Sequence, residues 1–220
     1  VGVNGVFGTR LATMIERSGG RPIRIEAPWG ATIPIEALEQ ELARSAPVKA
    51  LVLVHAETST GALQPLEDVG ALCRAHDALF IVDAVTSLGG IPVEVDTWGI
   101  DACYSGTQKC LSCPPGLAPL TVSPRGMGAI RQRRAPCHSW YLDLSLIADY
   151  WNDHSRAYHH TAPISMLYGL REALRLVHEE GLPARAARHQ VNSDALMAGL
   201  RALGLSPLPP PGHRLPMLNC

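Results

Sequence analysis

Short apolar runs alternate with amphipathic segments along this chain of 220 residues. Residues 50–54 and 78–82 are continuously apolar, which is typical of strands that are buried on both faces of a parallel sheet. A shorter strand is predicted at residues 101–104. Residues 117–122 predict a fourth strand, and Pro119 favours an edge or irregular position for it, because proline has no amide hydrogen to donate to a neighbouring strand.

Helical patterns fill the intervals between the strands and most of the second half of the chain. Pro65 is suited to the first turn of a helix, and apolar residues recur after it at helical spacing. A second apolar stripe runs between residues 167 and 177. A further helix is predicted over residues 184–203, followed by a proline-rich linker at residues 207–211. This alternation predicts an α/β fold with a mostly parallel sheet and helices on both faces.

Three polar clusters follow the predicted strands, at residues 55–61, at Asp83 and at residues 105–109. Ligands of open α/β sheets bind at the carboxyl ends of the strands, so these clusters are expected to share one site. A carboxylate and a lysine at one sheet edge fit pyridoxal phosphate. The amine of the lysine forms a Schiff base with the cofactor's aldehyde, and the acid keeps the ring nitrogen protonated so that the ring accepts electrons.

The scarcity of lysine identifies the candidate amine. Of the 19 basic residues only Lys49 and Lys109 are lysines, and the guanidinium group of arginine stays protonated and cannot form an imine. Lys49 precedes a strand and lies at the end opposite the expected site, so Lys109 is the better candidate. The residues alone leave other interpretations open, namely Lys109 as a solvated loop lysine and Asp83 as a strand-end or helix-capping residue.

Composition and charge exclude several other classes of function. The chain has 46% hydrophobic and 18% charged residues, a net charge of −1 and a pI of about 6.8. These values are ordinary for a globular protein and indicate neither a nucleic acid partner nor an anionic membrane. The longest apolar runs are far shorter than the roughly 20 residues that a membrane-spanning helix needs.

The cysteines predict neither disulfides nor a metal site. Six of them occur at uneven spacing, so we expect free thiols in a reducing compartment. Cys110 and Cys113 form a C-x-x-C pair directly after Lys109, but no second pair follows to complete a zinc site. His159 and His160 make a poor metal pair, because adjacent side chains point apart on a strand and no third ligand is evident.

An ordered set of short motifs extends over almost the whole chain. The strongest are VDAVTSLGG at residues 82–90, YSGTQK at residues 104–109 and PPG at residues 114–116. Others are NGVFG, ETSTG, QPL, WYLD and YHHT, at residues 4–8, 57–61, 64–66, 140–143 and 158–161. Together they resemble the alanine–glyoxylate (serine–pyruvate) aminotransferases, which are pyridoxal-phosphate enzymes of the class V group with fold type I.

The resemblance implies a role for each residue that matches the family. It makes Lys109 the Schiff-base lysine, Asp83 the partner of the pyridine nitrogen, and Gln108 a neighbour of the cofactor's phosphate and ring hydroxyl. In the implied reaction the amino donor displaces Lys109, whose freed amine then moves a proton between the substrate Cα and the cofactor. An amino group passes in this way from alanine or serine to glyoxylate or pyruvate.

Four more residues are implied to contact the cofactor. Thr58 stands where the family commonly has Ser and keeps the hydroxyl group. Phe7 stands where the family usually has the Trp that stacks on the ring, and it offers a smaller π-face without an indole N–H. Tyr158 and Thr161 match residues that reach the phosphate of the neighbouring subunit, so the resemblance implies a homodimer.

The chain is expected to be incomplete at both ends, because it lacks a starting Met and stops just after a proline-rich stretch. The resemblance places a phosphate-binding Ser-Gly-His segment before Val1 and the arginine for the substrate carboxylate after Cys220. We therefore expect a partial cofactor-binding large domain at residues 1–181. Residues 182–220 would form a linking helix and the start of a truncated small domain. The family implies a peroxisome or a mitochondrion, and we recognise no targeting signal in the chain.

Two alternatives remain at this point. The first is a cysteine desulfurase or related lyase of the same fold. Such enzymes commonly have His directly before the lysine, where this chain has Gln108, and no mobile catalytic cysteine is evident. The second is a truncated, non-catalytic product that at most binds the cofactor or a partner chain.

Overall fold

The computed structural model describes residues 1–151 and 157–220. In chain order its elements are β1 (Gly2–Val3), α1 (Val6–Arg17), β2 (Ile25–Glu26), α2 (Ile35–Arg44), β3 (Ala50–Val54), β4 (Ala56–Glu57), β5 (Ala62–Leu63), α3 (Val69–Ala75), β6 (Leu79–Asp83), β7 (Ala102–Tyr104), β8 (Leu120–Val122), α4 (Pro124–Arg131), α5 (Leu144–Tyr150), α6 (Ile164–Glu180) and α7 (Leu182–Ala202).

A four-stranded sheet in the order β3-β6-β7-β8 forms the centre of the fold. The first three strands are parallel, and β8 pairs antiparallel with β7 at the edge. The predicted strands are confirmed, with small shifts at their ends. Pro119 lies just before β8 and its carbonyl accepts a hydrogen bond from the Ser105 amide at 2.8 Å, which agrees with the expected edge position.

Both faces of the sheet are covered by apolar packing. Leu51 and Leu53 of β3 face a core that includes residues of α2 and α3. Val52 and Val54 face a second core, which includes Leu11 of α1. Because successive side chains of a strand point to opposite faces, a strand between two cores needs apolar residues at every position. The continuous apolar run in β3 therefore has a direct structural cause.

The predicted start of α3 is wrong by four residues. The helix begins at Val69 rather than at Pro65. The Leu66 amide donates to the Glu67 carboxylate at 2.9 Å, and the Leu66 carbonyl accepts from the Val69 amide at 3.1 Å. This local turn satisfies the backbone groups that a longer helix would have used, and a proline at a turn is as well accommodated as a proline at a first helical position.

The two long C-terminal helices are confirmed, but the apolar stripe of α6 is only partly covered. Ala173 and Val177 are buried, whereas Leu167 and Leu174 are 44% and 46% exposed. The periodicity thus identified the helix correctly, and part of its apolar face stays half-exposed in the described chain.

The C-terminal segment returns to the short ribbon formed by β4 and β5. The Leu63 amide donates to the His213 carbonyl at 2.9 Å, and the Leu215 amide donates to the Gly61 carbonyl at 3.0 Å. Leu215 is fully buried. The proline-rich residues 207–211 therefore connect α7 to a segment that packs on the sheet region, and the domain boundary at residue 181 stays a prediction.

Neither a membrane span nor a metal cluster is found in the described residues. None of their helices is both long and apolar enough to cross a bilayer, and no three His, Cys, Asp or Glu side chains group as metal ligands. One of the two reasons against the histidine pair as metal ligands, that the side chains point apart on a strand, is wrong. Residues 159 and 160 are not in a strand, and the two Nδ1 atoms face each other at 2.7 Å.

Candidate active site

Asp83 is the last residue of β6, the strand between β3 and β7. It is 8% exposed. Its carboxylate accepts hydrogen bonds from the Val85 amide at 2.9 Å and from the Tyr104 hydroxyl at 2.6 Å. Burial raises the pKa of the Asp83 carboxyl group, and these two hydrogen bonds oppose the rise. In the described part of the chain Asp83 has no ion-pair partner within 4 Å, and its hydrogen-bond donors are neutral groups.

Glu57 fixes the start of α1, the helix that carries Phe7. The Glu57 side chain is fully buried and accepts hydrogen bonds from the amides of Phe7 and Gly8, at 3.1 and 3.2 Å. The first amides of a helix have no partner within the helix, and a carboxylate there is favoured by the helix dipole. Ser59 adds to this cap, because its hydroxyl donates to Glu57 at 2.6 Å and accepts from the Val6 amide at 3.0 Å.

Phe7 is partly buried, and the Arg10 guanidinium lies over its ring at 4.8 Å from the centroid. This geometry is that of a cation–π contact. One face of the ring is therefore occupied, and a cofactor ring can stack on Phe7 only at the other face or after Arg10 has moved.

Hydroxyl groups connect the loops that carry the expected cofactor residues. The Thr58 and Thr86 hydroxyls are 2.5 Å apart. The Thr86 carbonyl accepts a hydrogen bond from the Cys110 thiol at 3.3 Å, directly beside Lys109. Since Thr86 belongs to the loop after Asp83, this chain of contacts brings the loops containing Thr58 and Lys109 to the edge of the sheet where Asp83 ends β6.

Lys109 occupies a turn closed by backbone hydrogen bonds. The Ser112 amide donates to the Lys109 carbonyl at 2.9 Å, and the Cys113 amide donates to the Thr107 carbonyl at 3.0 Å. Lys109 borders a cleft of about 290 Å³ and forms no ion pair in the described part of the chain. Lys49 precedes β3 at the opposite end of the strands, as expected.

The other residues predicted from the sequence form no side-chain hydrogen bond with Asp83 or Lys109 in the described part of the chain. Gln108 is exposed, and its side-chain amide lies close to Gly106, where a Cβ atom would come within 2.7 Å of it. Tyr158 is 72% exposed, and its hydroxyl is 2.8 Å from that of Thr161. Among the described residues no hydrogen bond links Tyr158 or Thr161 to Asp83 or Lys109.

Two residues that contact the candidate site were given no role from the sequence. Tyr104 lies directly opposite Asp83 in the parallel register of β6 and β7, so aligning the two strand ends would have identified it. Arg185 contacts the Lys109 turn from α7, 76 residues further along the chain. No local sequence signal points to that contact.

Comparison with known proteins agrees with this geometry. The family model for class-V aminotransferases matches residues 11–217. The chain belongs to the class-V aminotransferase family. Class-V aminotransferases have fold type I and depend on pyridoxal 5′-phosphate.

Several relatives of this class-V aminotransferase chain carry glyoxylate in their names. An (S)-ureidoglycine–glyoxylate transaminase of Bacillus subtilis is 41% identical over 99% of the chain, and a rabbit (Oryctolagus cuniculus) alanine–glyoxylate aminotransferase is 40% identical over all of it. The crystal structure of an alanine–glyoxylate aminotransferase from Nostoc sp. superposes with a TM-score of 0.95, at 48% identity over 98% of the chain. The chain spans about half the length of these relatives, since it covers 56%, 56% and 57% of them.

A cysteine desulfurase from Thermococcus onnurineus shares the fold alone. Its structure superposes with a TM-score of 0.73 at 16% identity. The desulfurase alternative therefore has much weaker support than membership of the aminotransferases.

Proposed function

We propose that the complete protein is a pyridoxal-phosphate-dependent aminotransferase that transfers an amino group to glyoxylate. The observation that carries this proposal is the pairing of a buried carboxylate with a lysine at one sheet edge. Asp83 is buried with only neutral hydrogen-bond donors. An uncompensated carboxylate in such a position is costly unless a cation completes the site.

The residues present fit the cofactor. Asp83 would pair with the protonated ring nitrogen, Phe7 would offer an aromatic face, and the hydroxyl of Thr58 and the amide of Gln108 would offer polar contacts. When bound, the cofactor acts as the electron sink for the bond that breaks at the substrate Cα. The amine of Lys109 would hold the cofactor through its aldehyde.

The chain's own residues perform two tasks in this function. The Lys109 amine accepts the proton from the substrate Cα and later returns one, so Lys109 acts as general base and general acid. Asp83 keeps a proton on the ring nitrogen by placing a negative charge beside it. Tyr104 holds the Asp83 carboxylate in one orientation through its 2.6 Å hydrogen bond.

Glyoxylate is proposed as the acceptor because it occurs in the names of the alanine and ureidoglycine relatives alike. Alanine is the proposed donor. (S)-ureidoglycine is a second candidate, supported by the 41% identity to the Bacillus subtilis transaminase. Serine as donor and pyruvate as acceptor rest on the motif resemblance, and a donor panel in one assay separates these cases.

A homodimer is proposed from the exposed position of Tyr158 and Thr161. Both residues are exposed, and their side chains are therefore accessible to a neighbouring subunit. A peroxisomal or mitochondrial location stays a prediction, because bacterial relatives match the chain as closely as mammalian ones do.

The test is covalent attachment of the cofactor together with turnover in the complete protein. Borohydride reduction followed by peptide mapping is expected to place the cofactor on Lys109, and alanine with glyoxylate is expected to give turnover. Lys109→Ala is expected to abolish both while the far-ultraviolet circular dichroism spectrum stays unchanged. A label on Lys49, or an unlabelled Lys109 in an active enzyme, contradicts the assignment.

A further inference from the structure

Arg185, in the first turn of α7, has a buried guanidinium that makes four hydrogen bonds. It is 8% exposed. Its Nε atom donates to the Gly89 carbonyl at 2.9 Å, and its Nη1 atom binds the Glu180 carboxylate at 2.8 Å. Its Nη2 atom donates to the Cys110 carbonyl at 2.5 Å and to the Ser112 hydroxyl at 3.3 Å.

These contacts hold the turn that contains Lys109. Residues 109–112 form that turn, since the Ser112 amide donates to the Lys109 carbonyl at 2.9 Å. Arg185 therefore binds the turn at its second residue and at its last. Through Gly89 it also holds the loop that follows Asp83, so one side chain connects both loops that carry the proposed catalytic groups.

Two glycines in the loop that follows Asp83 allow this loop to lie close to the Lys109 turn. Gly89 has a positive φ of 83°, a conformation that glycine adopts at little cost. A Cβ atom at Gly90 would lie 2.7 Å from the Cys110 sulfur. The loop at residues 84–90 and the Lys109 turn are thus in direct contact, and the Arg185 guanidinium binds a carbonyl of each.

The position of Arg185 is not explained by helix stability. A positive side chain in the first turn of a helix is disfavoured by the helix dipole, and a buried charge is tolerated only with full pairing. The planar guanidinium reaches acceptors in several directions at once, whereas the ammonium of lysine is a single point of donation. The location is therefore suited to holding several separate backbone and side-chain acceptors.

We propose that Arg185 is a positioning residue that sets the orientation of Lys109 relative to the Asp83 loop. The proposal rests on the proposed function, in which Lys109 binds the cofactor and moves the proton. Through Arg185, the position of α7 would also affect the position of the Lys109 amine.

The test compares Arg185→Gln and Arg185→Lys in the complete protein. When pyridoxal phosphate is added to the cofactor-free protein, the rate of imine formation, followed by absorbance, is expected to fall at least tenfold in R185Q. The kcat is expected to fall at least tenfold with the KM for alanine within threefold, and amide exchange over residues 107–113 to accelerate. R185K keeps the positive charge and is expected to restore less than a third of the rate of imine formation that R185Q loses.

Arg125→Gln is the matched control. Arg125 binds the buried Asp101 carboxylate at 2.7 Å and the Ala78 carbonyl at 2.8 Å, at the opposite end of the strands. Its variant is expected to be less stable but to form the imine within twofold of the wild-type rate.

Equal imine rates in R185Q and R125Q overturn the proposal. A wild-type protein without an imine on Lys109 would instead refute the proposed function, so the two failures are distinguishable. If R185Q does not fold, R185K alone decides the question: a wild-type rate of imine formation in R185K overturns the proposal.

Discussion

At the scale of single residues, Asp83 shows two opposing effects on one carboxyl group. Loss of hydration disfavours the charged form, while hydrogen bonds from Tyr104 and the Val85 amide favour it, and the raised pKa shows that burial dominates. The Glu57 charge adds to the rise and the Arg10 charge opposes it. The cofactor-free protein therefore holds a carboxylate whose charge weakens the fold.

Asp83→Asn is expected to stabilise the cofactor-free protein and to impair catalysis. Because the pKa of Asp83 is raised by folding, its contribution to stability is present below the unfolded pKa of about 3.9 and is lost as the pH rises through the folded pKa. The gain of D83N over wild type in urea unfolding should thus grow between pH 4 and pH 7. The kcat should fall more than tenfold, about 1.4 kcal/mol in activation free energy.

Two outcomes would contradict this account of Asp83. One is a D83N variant that is less stable than wild type at pH 7. The other is a kcat within threefold of wild type. The amide of Asn can still pair with the Tyr104 hydroxyl and the Val85 amide, so a lost hydrogen bond would not explain either result.

At the scale of elements, α3 contains Gly70, although glycine in the middle of a helix is less favourable than alanine. A Cβ atom at Gly70 would lie 1.9 Å from the Trp98 carbonyl oxygen, which is a backbone atom and cannot swing away. Gly70→Ala is expected to lower the free energy of unfolding by about 1–3 kcal/mol, the usual cost of overpacking.

Gly199→Ala in α7 is the matched control for Gly70→Ala. A Cβ atom at Gly199 would meet no atom within 4 Å, so alanine there should raise stability by about 0.5–1 kcal/mol. Urea denaturation of both variants checks the pair. Two variants that are both more stable than wild type would show that α3 does not pack closely on the turn at Trp98.

The elements also show how far sequence reasoning extends. Buried strands such as β3 were predictable, because burial on both faces leaves a continuous apolar run. The start of α3 was not, because Pro65 suits a turn and a helix equally well. The contact of Tyr104 with Asp83 depends on strand register, and that of Arg185 with the Lys109 turn joins residues far apart in the chain, so local patterns could not reveal either.

At the scale of the whole molecule, much apolar surface is left uncovered. Trp140, Tyr141, Trp151 and Tyr158 are 55–77% exposed, and α6 exposes Leu167 and Leu174. Exposed patches of this kind mark interaction surfaces or sites of association. The expected homodimer would cover such a surface, and its Tyr158 would then serve the site of the neighbouring subunit.

The 220-residue chain by itself is therefore expected to show little or no transaminase activity, even with excess cofactor. It spans about half the length of its relatives. The motif resemblance places the phosphate-binding segment and the substrate-binding arginine outside it. Without a clamp on the carboxylate, the substrate Cα–H bond is not aligned with the ring, and orientation accounts for much of a catalysed rate. Alanine with glyoxylate should be assayed for this chain and for the complete protein at equal concentrations, with sedimentation to report association. Comparable turnover would show that the 220 residues contain the whole site, and that the expectation of an incomplete chain is wrong.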